Sequence, residues 1–172
     1  DGIAKKMIVR HPHVFGNTIV SSCDEVLDNW DTIKKKTKNQ TTQTDVLKSV
    51  SKALPALMRS SKVQSKAAKV GFDWADVSGA IEKVAEETNE LKQAIKSNNE
   101  ENCLEELGDL LFSVVNVSRF LNIEAEQALS QSCEKFILRF EKMERLAKNR
   151  GINIASLPLE ALDALWNEAK TD

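Results

Sequence analysis

Apolar residues recur at helical spacing along most of this chain. Val84, Thr88, Leu91 and Ile95 stack as one stripe and predict a helix over 76–96, opened by Asp76. Asn98, with Glu101 three residues on, reads as a capping box that starts the next helix, which runs to about Phe120. That helix is apolar around most of its circumference, so it is expected to be central or covered at a dimer interface. Asn122 and Glu124 open a long helix to Arg150, ended by Gly151, and Leu157-Pro158 opens a last one through Lys170. Upstream, a helix is expected from Ala53 to Val70, with Pro55 in its first turn and Gly71 as its cap. Asp24 to about Lys36 carries Val26, Leu27, Trp30 and Ile33 on one side. The first residues, GIAKKMIVR, read as the end of a helix stopped at His11-Pro12-His13, with a loop over 14–22. Residues 36–46 are polar and serve as the expected mobile linker. The sum is all-α, and short polar connections between the later long helices predict an antiparallel bundle.

Composition supports this. The chain has 172 residues, with 41% hydrophobic, 29% charged, and only six Gly and three Pro, a mix that favours helices. A net charge of −2 gives no global field toward nucleic acid or anionic membrane, so an anionic ligand must be held by local cations or a metal. Cys23, Cys103 and Cys133 are scattered and odd in number, which fits a reduced, cytoplasmic protein. No apolar run approaches the roughly 20 residues that span a bilayer. The short run ending at Val9 is followed at once by Arg10 and His11, so no secretory leader is expected.

The candidate chemistry lies in spaced carboxylates. Glu86, Glu87 and Glu90 read E-E-x-x-E, and Glu106 and Asp109 read E-x-x-D on the following helix. Each residue advances about 100° around a helix, so each set spans one arc, with Glu86 furthest from the apolar stripe. Two consecutive helices joined by a short loop pack antiparallel, which lets the arcs meet. Solvated helix faces are the bland alternative, and Asp109, set within LGDLLFSVV, could instead pair with a Lys or Arg. A di-iron bundle would need inward Glu-x-x-His pairs, whereas His11 and His13 lie in the N-terminal turn. Oxygen-only ligands favour Mg²⁺ or Mn²⁺. Lys135 and Arg139, four apart, could hold phosphate, or could be surface charges paired with Glu134 and Glu141. Arg119, Lys83 and Lys92 are ambiguous, and Trp30, Trp74 and Trp166 read foremost as core. Asn116 shares a helical line with Asp109. No Gly-rich phosphate loop, Ser-His-Asp set or Cys-His pair is present.

E-E-x-x-E followed by E-x-x-D, with the Asp inside G-D-L-L-F, resembles the all-α nucleoside triphosphate pyrophosphohydrolases of the MazG type. LPALMRSSKVQSKAAKVGFDW, CLEELGDLLFSVVNVSRFL and EKFILRFEKME are similar to the second unit of a two-unit bacterial MazG, and RHPHVFG to the end of the first. Lys6-Met-Ile-Val-Arg10 also echoes Lys135-Phe-Ile-Leu-Arg139. The resemblance implies a tail of a preceding unit plus linker over 1–46, a catalytic domain over 47–172, and a fragment of a longer protein. It further implies Mg²⁺-dependent hydrolysis of nucleoside triphosphates to monophosphate and pyrophosphate by a homodimer, with no membrane or nucleic-acid partner. By position, Glu87, Glu90, Glu106 and Asp109 become metal ligands, Glu86 supports the attacking water, and Lys135 and Arg139 hold phosphate oxygens. Trp166 falls near the nucleotide base, while Asn116 is a nucleotide contact through its line with Asp109. A narrower dUTP or dCTP pyrophosphohydrolase, and a non-catalytic helical module that uses its acidic face, remain as alternatives.

Overall fold

A computed structural model describes residues 2–17, 22, 25, 26, 29, 33 and 40–171. Among them there is no strand, and no helix is long and apolar enough to cross a membrane. The helices are α1 (Gly2–Arg10), α2 (Pro12–Phe15), α3 (Gln43–Lys48), α4 (Ala56–Ala68), α5 (Val77–Lys96), α6 (Glu100–Phe120), α7 (Ala125–Asn149) and α8 (Leu159–Thr171), with a 3₁₀ turn at Ile154–Ser156. The chain forms two compact units, residues 1–54 with 62–73 and residues 55–61 with 74–172.

In the first unit α1 stops where expected, and His11 Nδ1 lies 2.8 Å from the carbonyl oxygen of Met7. Pro12, which has no N–H to lose, opens α2, so Val14 and Phe15 are helical rather than part of a loop. Of the helix expected over 24–36, Glu25, Val26, Asn29 and Ile33 are helical, whereas Cys23, Leu27 and Trp30 lie outside the described residues. The polar stretch assigned to a linker is helical from Gln43; its residues 36–39 lie outside the described set. The cause is a capping box. The N–H of Asp45 donates to Thr42 Oγ1 (3.1 Å), and the N–H of Thr42 donates to Asp45 Oδ2 (2.8 Å). Val46 and Val50 are buried, and Gln43 Nε2 donates to the carbonyl of Lys66 in α4 (2.7 Å).

In the second unit α5 and α6 form a tightly packed antiparallel pair. Asp76 caps α5 by accepting from the N–H of Ser78 (2.7 Å). The connection uses Asn98 in the left-handed region (φ 51°), so the cap of α6 falls one residue later than expected. It is Asn99, whose Oδ1 accepts from Glu101 (3.1 Å) and Asn102 (3.2 Å). The buried line of α5 runs through Ala80, Glu87 and Ala94, and Val84 and Leu91 are half-buried. Ile95, assigned to the apolar stripe, is 57% exposed. On α6, Ser113 and Val115 are buried, but Leu104, Leu107, Leu111 and Phe112 are exposed, so this helix is not central within the chain.

Two ends of matching geometry delimit α6 and α7. Asn122 (φ 54°) and Gly151 (φ 67°) each take the left-handed position past the helix. The following N–H then returns to the last turn, Ile123 to Ser118 O (2.8 Å) and Ile152 to Ala147 O (2.9 Å). Helix α7 pairs with α8 around Met143, Ala147, Leu165 and Ala169, with Ile154 of the 3₁₀ turn packed against them. Arg150 bonds to Glu168 across this pair. Helices α6 and α7 make little contact, so within one chain the long helices associate as two pairs.

Candidate metal and nucleotide site

The inward face of α5 carries a carboxylate where an apolar side chain would normally sit. Glu87 is only 4% exposed, flanked along the helix by Ala80 and Ala94. The small alanines let α6 approach closely, and α6 presents Glu106, half-buried, and Asp109, exposed. One carboxylate oxygen from each of Glu87, Glu106 and Asp109 lies within 4.8 Å of the others. Spacing along two helices therefore becomes one cluster once the short turn folds α6 back on α5.

Glu90 is half-buried one turn further along α5. Burial pushes its carboxyl above the ordinary range, and the charges of Glu87 and Glu106 add to the effect. It thus stands in the field of the cluster without belonging to its close group among the described residues. Glu86 is exposed and directed to a different neighbour. Lys83 Nζ donates to Glu86 Oε1 (2.9 Å) and pairs with Glu87 Oε1 (2.7 Å). These two carboxylates, Glu87 foremost, hold the Lys83 ammonium well above the usual lysine value. Lys83, ambiguous from the sequence, thus lies directly against the carboxylate cluster. Its signal was the spacing of three and four to Glu86 and Glu87, which is common on helices that bind nothing.

The basic residues lie on the other helix pair. Lys135 is exposed and Arg139 half-buried on α7. With Lys142 and Lys170 they line a surface groove of about 470 Å³ whose lining includes none of the acidic cluster. The Arg139 guanidinium sits 5.1 Å from the ring centre of Trp166 on α8. Phe136 meets the same indole, with centroids 4.9 Å apart at 43°. Trp166, Phe136 and Phe140 with Met143 line an apolar cavity of about 590 Å³, to which Ile154 and Leu159 also contribute. A cationic groove and an aromatic cavity thus share the Arg139–Trp166 contact, an arrangement suited to a phosphate joined to a planar ring.

Asn116, on α6 beyond Asp109, accepts a hydrogen bond at Oδ1 from Arg119 Nη2 (2.8 Å). A guanidinium only donates, so this bond fixes the amide orientation and leaves the Asn116 NH₂ as the donor. The Arg119 guanidinium also lies 4.7 Å from the ring centre of Phe120.

Residues 76–143 match the family model of the MazG nucleotide pyrophosphohydrolase domain. The chain is 42% identical over 166 residues to a protein of Thermotoga maritima named nucleoside triphosphate pyrophosphohydrolase/pyrophosphatase MazG, covering 96% of this chain and 62% of that protein. It is 38% identical over 172 residues to a nucleoside triphosphate pyrophosphohydrolase of Escherichia coli K12, covering 98% and 65% respectively. An uncharacterized protein of Bacillus subtilis, YabN, is 49% identical over 170 residues, which are 98% of this chain and 35% of that one. The chain therefore spans just under two thirds of the length of the first two relatives.

Proposed function

We infer that this chain belongs to the MazG family, whose domain model matches residues 76–143, and on that premise we propose that it hydrolyses nucleoside triphosphates to the monophosphate and pyrophosphate. The reading is carried by the close approach of Glu87, Glu106 and Asp109, whose oxygens lie within 4.8 Å. Carboxylates this close repel one another unless a proton or cation intervenes. The donors are all oxygen, and one belongs to a buried side chain, a set that fits Mg²⁺ or Mn²⁺. Glu87, Glu106 and Asp109 would hold the ion, with Glu90 as a further ligand beside them. Bound there, it would draw off negative charge as this builds on the phosphate oxygens.

The chain's own residues supply the rest. Glu86, exposed on the solvent side of the cluster, orients the attacking water. The water oxygen bonds to the α-phosphorus as its proton passes to the Glu86 carboxylate and on to solvent, the bond from that phosphorus to the bridging oxygen breaks, and pyrophosphate leaves. Lys135 and Arg139 hold phosphate oxygens, Lys as a point charge and Arg as a planar fork. Trp166 stacks on the base, and the free NH₂ of Asn116 donates to the nucleotide. The exposed Leu104, Leu107 and Leu111 of α6 support a homodimer, since an apolar row of that size on a helix calls for cover. We assign the protein to the cytoplasm.

The test is a panel of ribo- and deoxyribonucleoside triphosphates offered with Mg²⁺, with products identified by phosphorus NMR. Monophosphate and pyrophosphate are expected, and Glu90→Gln or Asp109→Asn should abolish both. Diphosphate with orthophosphate would overturn the cleavage position. No turnover of any triphosphate would leave the helical interaction module as the surviving reading.

A further inference from the structure

The Lys83–Glu87 pair differs from an ordinary exposed i,i+4 pair. Such pairs contribute little because both partners are already well solvated. Here the Glu87 side chain is only 6% exposed, whereas that of Lys83 is 34% exposed. A buried carboxylate needs a partner, and Lys83 Nζ at 2.7 Å is the cation it has in this structure. The partner's position is reversible. Lys83 has a long flexible stem, and Glu86, whose side chain is 57% exposed, already receives its second hydrogen bond at 2.9 Å. The ammonium can therefore shift outward to Glu86 and water without being stranded.

A divalent ion shared by Glu87, Glu106 and Asp109 would bring a second cation to the same buried carboxylate. Two cations on one carboxylate repel, and an ammonium hydrogen-bonded to Glu87 Oε1 takes up a lone pair the ion could use. We propose that Lys83 is the resident counter-ion of this site: it neutralises buried Glu87 when no divalent ion is present, and must turn outward to Glu86 when one enters. Lys83 then sets the concentration of divalent ion at which the cluster loads. It acts as a positioning residue, through Glu87.

The proposal rests on the metal reading of the carboxylate cluster, and the experiment separates the two. Mn²⁺ affinity is measured by calorimetry on nucleotide-free protein at fixed pH and ionic strength, for the whole chain and for its Lys83→Met and Lys83→Arg variants. Methionine keeps the stem and the helix but removes the charge, and arginine keeps the charge. Lys83→Met should bind Mn²⁺ about tenfold more tightly than the parent, the size of a unit charge's effect on a divalent ion across a hydrated site. Lys83→Arg should stay near the parent, and metal-free Lys83→Met should melt at a lower temperature. Mn²⁺ binding by the parent with equal or weaker binding by a folded Lys83→Met overturns the assignment of Lys83 alone. Failure of both to bind Mn²⁺ overturns the metal site itself. If Lys83→Met does not fold, the Lys83 ammonium signal of the parent decides by nitrogen NMR. Its loss of protection on adding Mg²⁺ supports the proposal, and an unchanged protected signal in metal-loaded protein overturns it.

Discussion

Gly79 leaves the space that the Trp74 ring occupies against the first turn of α5: a Cβ added there would lie 2.7 Å from Trp74 Cε3 and 2.9 Å from Cδ2. Replacing glycine inside a helix by alanine normally gains about 0.5–1 kcal/mol. Here the methyl would displace an indole held close to its own backbone, and overpacking of this kind costs about 1–3 kcal/mol. Gly79→Ala is therefore expected to lower stability despite the better helix former, with a shift in tryptophan emission as the half-exposed Trp74 ring is displaced from the backbone of α5. Chemical denaturation followed by fluorescence checks both.

Loading with a divalent ion should stabilise the folded chain. At 100 times the dissociation constant the gain is about 2.7 kcal/mol, and a chelator should remove it. Asp109 is exposed, so Asp109→Asn should fold normally while losing most of the thermal shift that Mg²⁺ or Mn²⁺ produces. Differential scanning fluorimetry with and without chelator is the measurement.

Asp45 gives the clearest pH dependence. The backbone N–H of Thr42, its hydroxyl and then Thr41 hold this carboxyl below the usual carboxylate value. The folded pKa lies below the unfolded one of about 3.9, so the contribution is complete well above that pH and is lost as pH falls through the folded value. The protection of the Val46 amide in α3, relative to its intrinsic exchange rate at the same pH, should fall on acidification through this window. In Asp45→Asn the pH dependence should disappear.

Arg139 joins the cationic groove to the aromatic cavity through its contact with Trp166. Arg139→Lys keeps the charge but loses the planar contact with the indole, a loss of about 0.5–2 kcal/mol. We expect kcat/KM for the preferred triphosphate to fall by roughly two- to thirtyfold. Steady-state kinetics decide, and a rate equal to that of the parent would show that charge alone matters there.

That the two acidic arcs meet was legible in the sequence from two rules, helical spacing and a connection too short for anything but an antiparallel turn, but those rules did not separate Glu90 from the close group of Glu87, Glu106 and Asp109. The same rules misplaced Ile95. The inward line of α5 passes from Leu91 to Ala94, and the alanine, not the larger isoleucine, faces α6. Asn98 and Asn99 are both suitable caps, and only the left-handed backbone at Asn98 decides between them. The Thr42–Asp45 box was hidden by the low hydrophobicity of its surroundings, since two reciprocal hydrogen bonds leave no mark on an apolar pattern. Lys83 stayed ambiguous for a different reason: its significance depends on the burial of Glu87, which exists only once α6 has docked. The relation of Lys135 and Arg139 to the acidic residues is likewise a matter of how the two helix pairs associate, on which spacing along the chain is silent.

The turn between Lys96 and Glu100 also bears on the order of folding. Every close member of the carboxylate cluster lies on the two helices that this turn joins, so closing one short loop assembles them, at a small entropic cost. Contacts so local form early, ahead of those that need distant segments to meet. The acidic residues are thus forced together while the rest of the chain is still searching, and their mutual repulsion works against the nucleus of folding itself. A cation that quiets it, whether the Lys83 ammonium or a divalent ion in the proposed site, would lower that barrier and so speed folding.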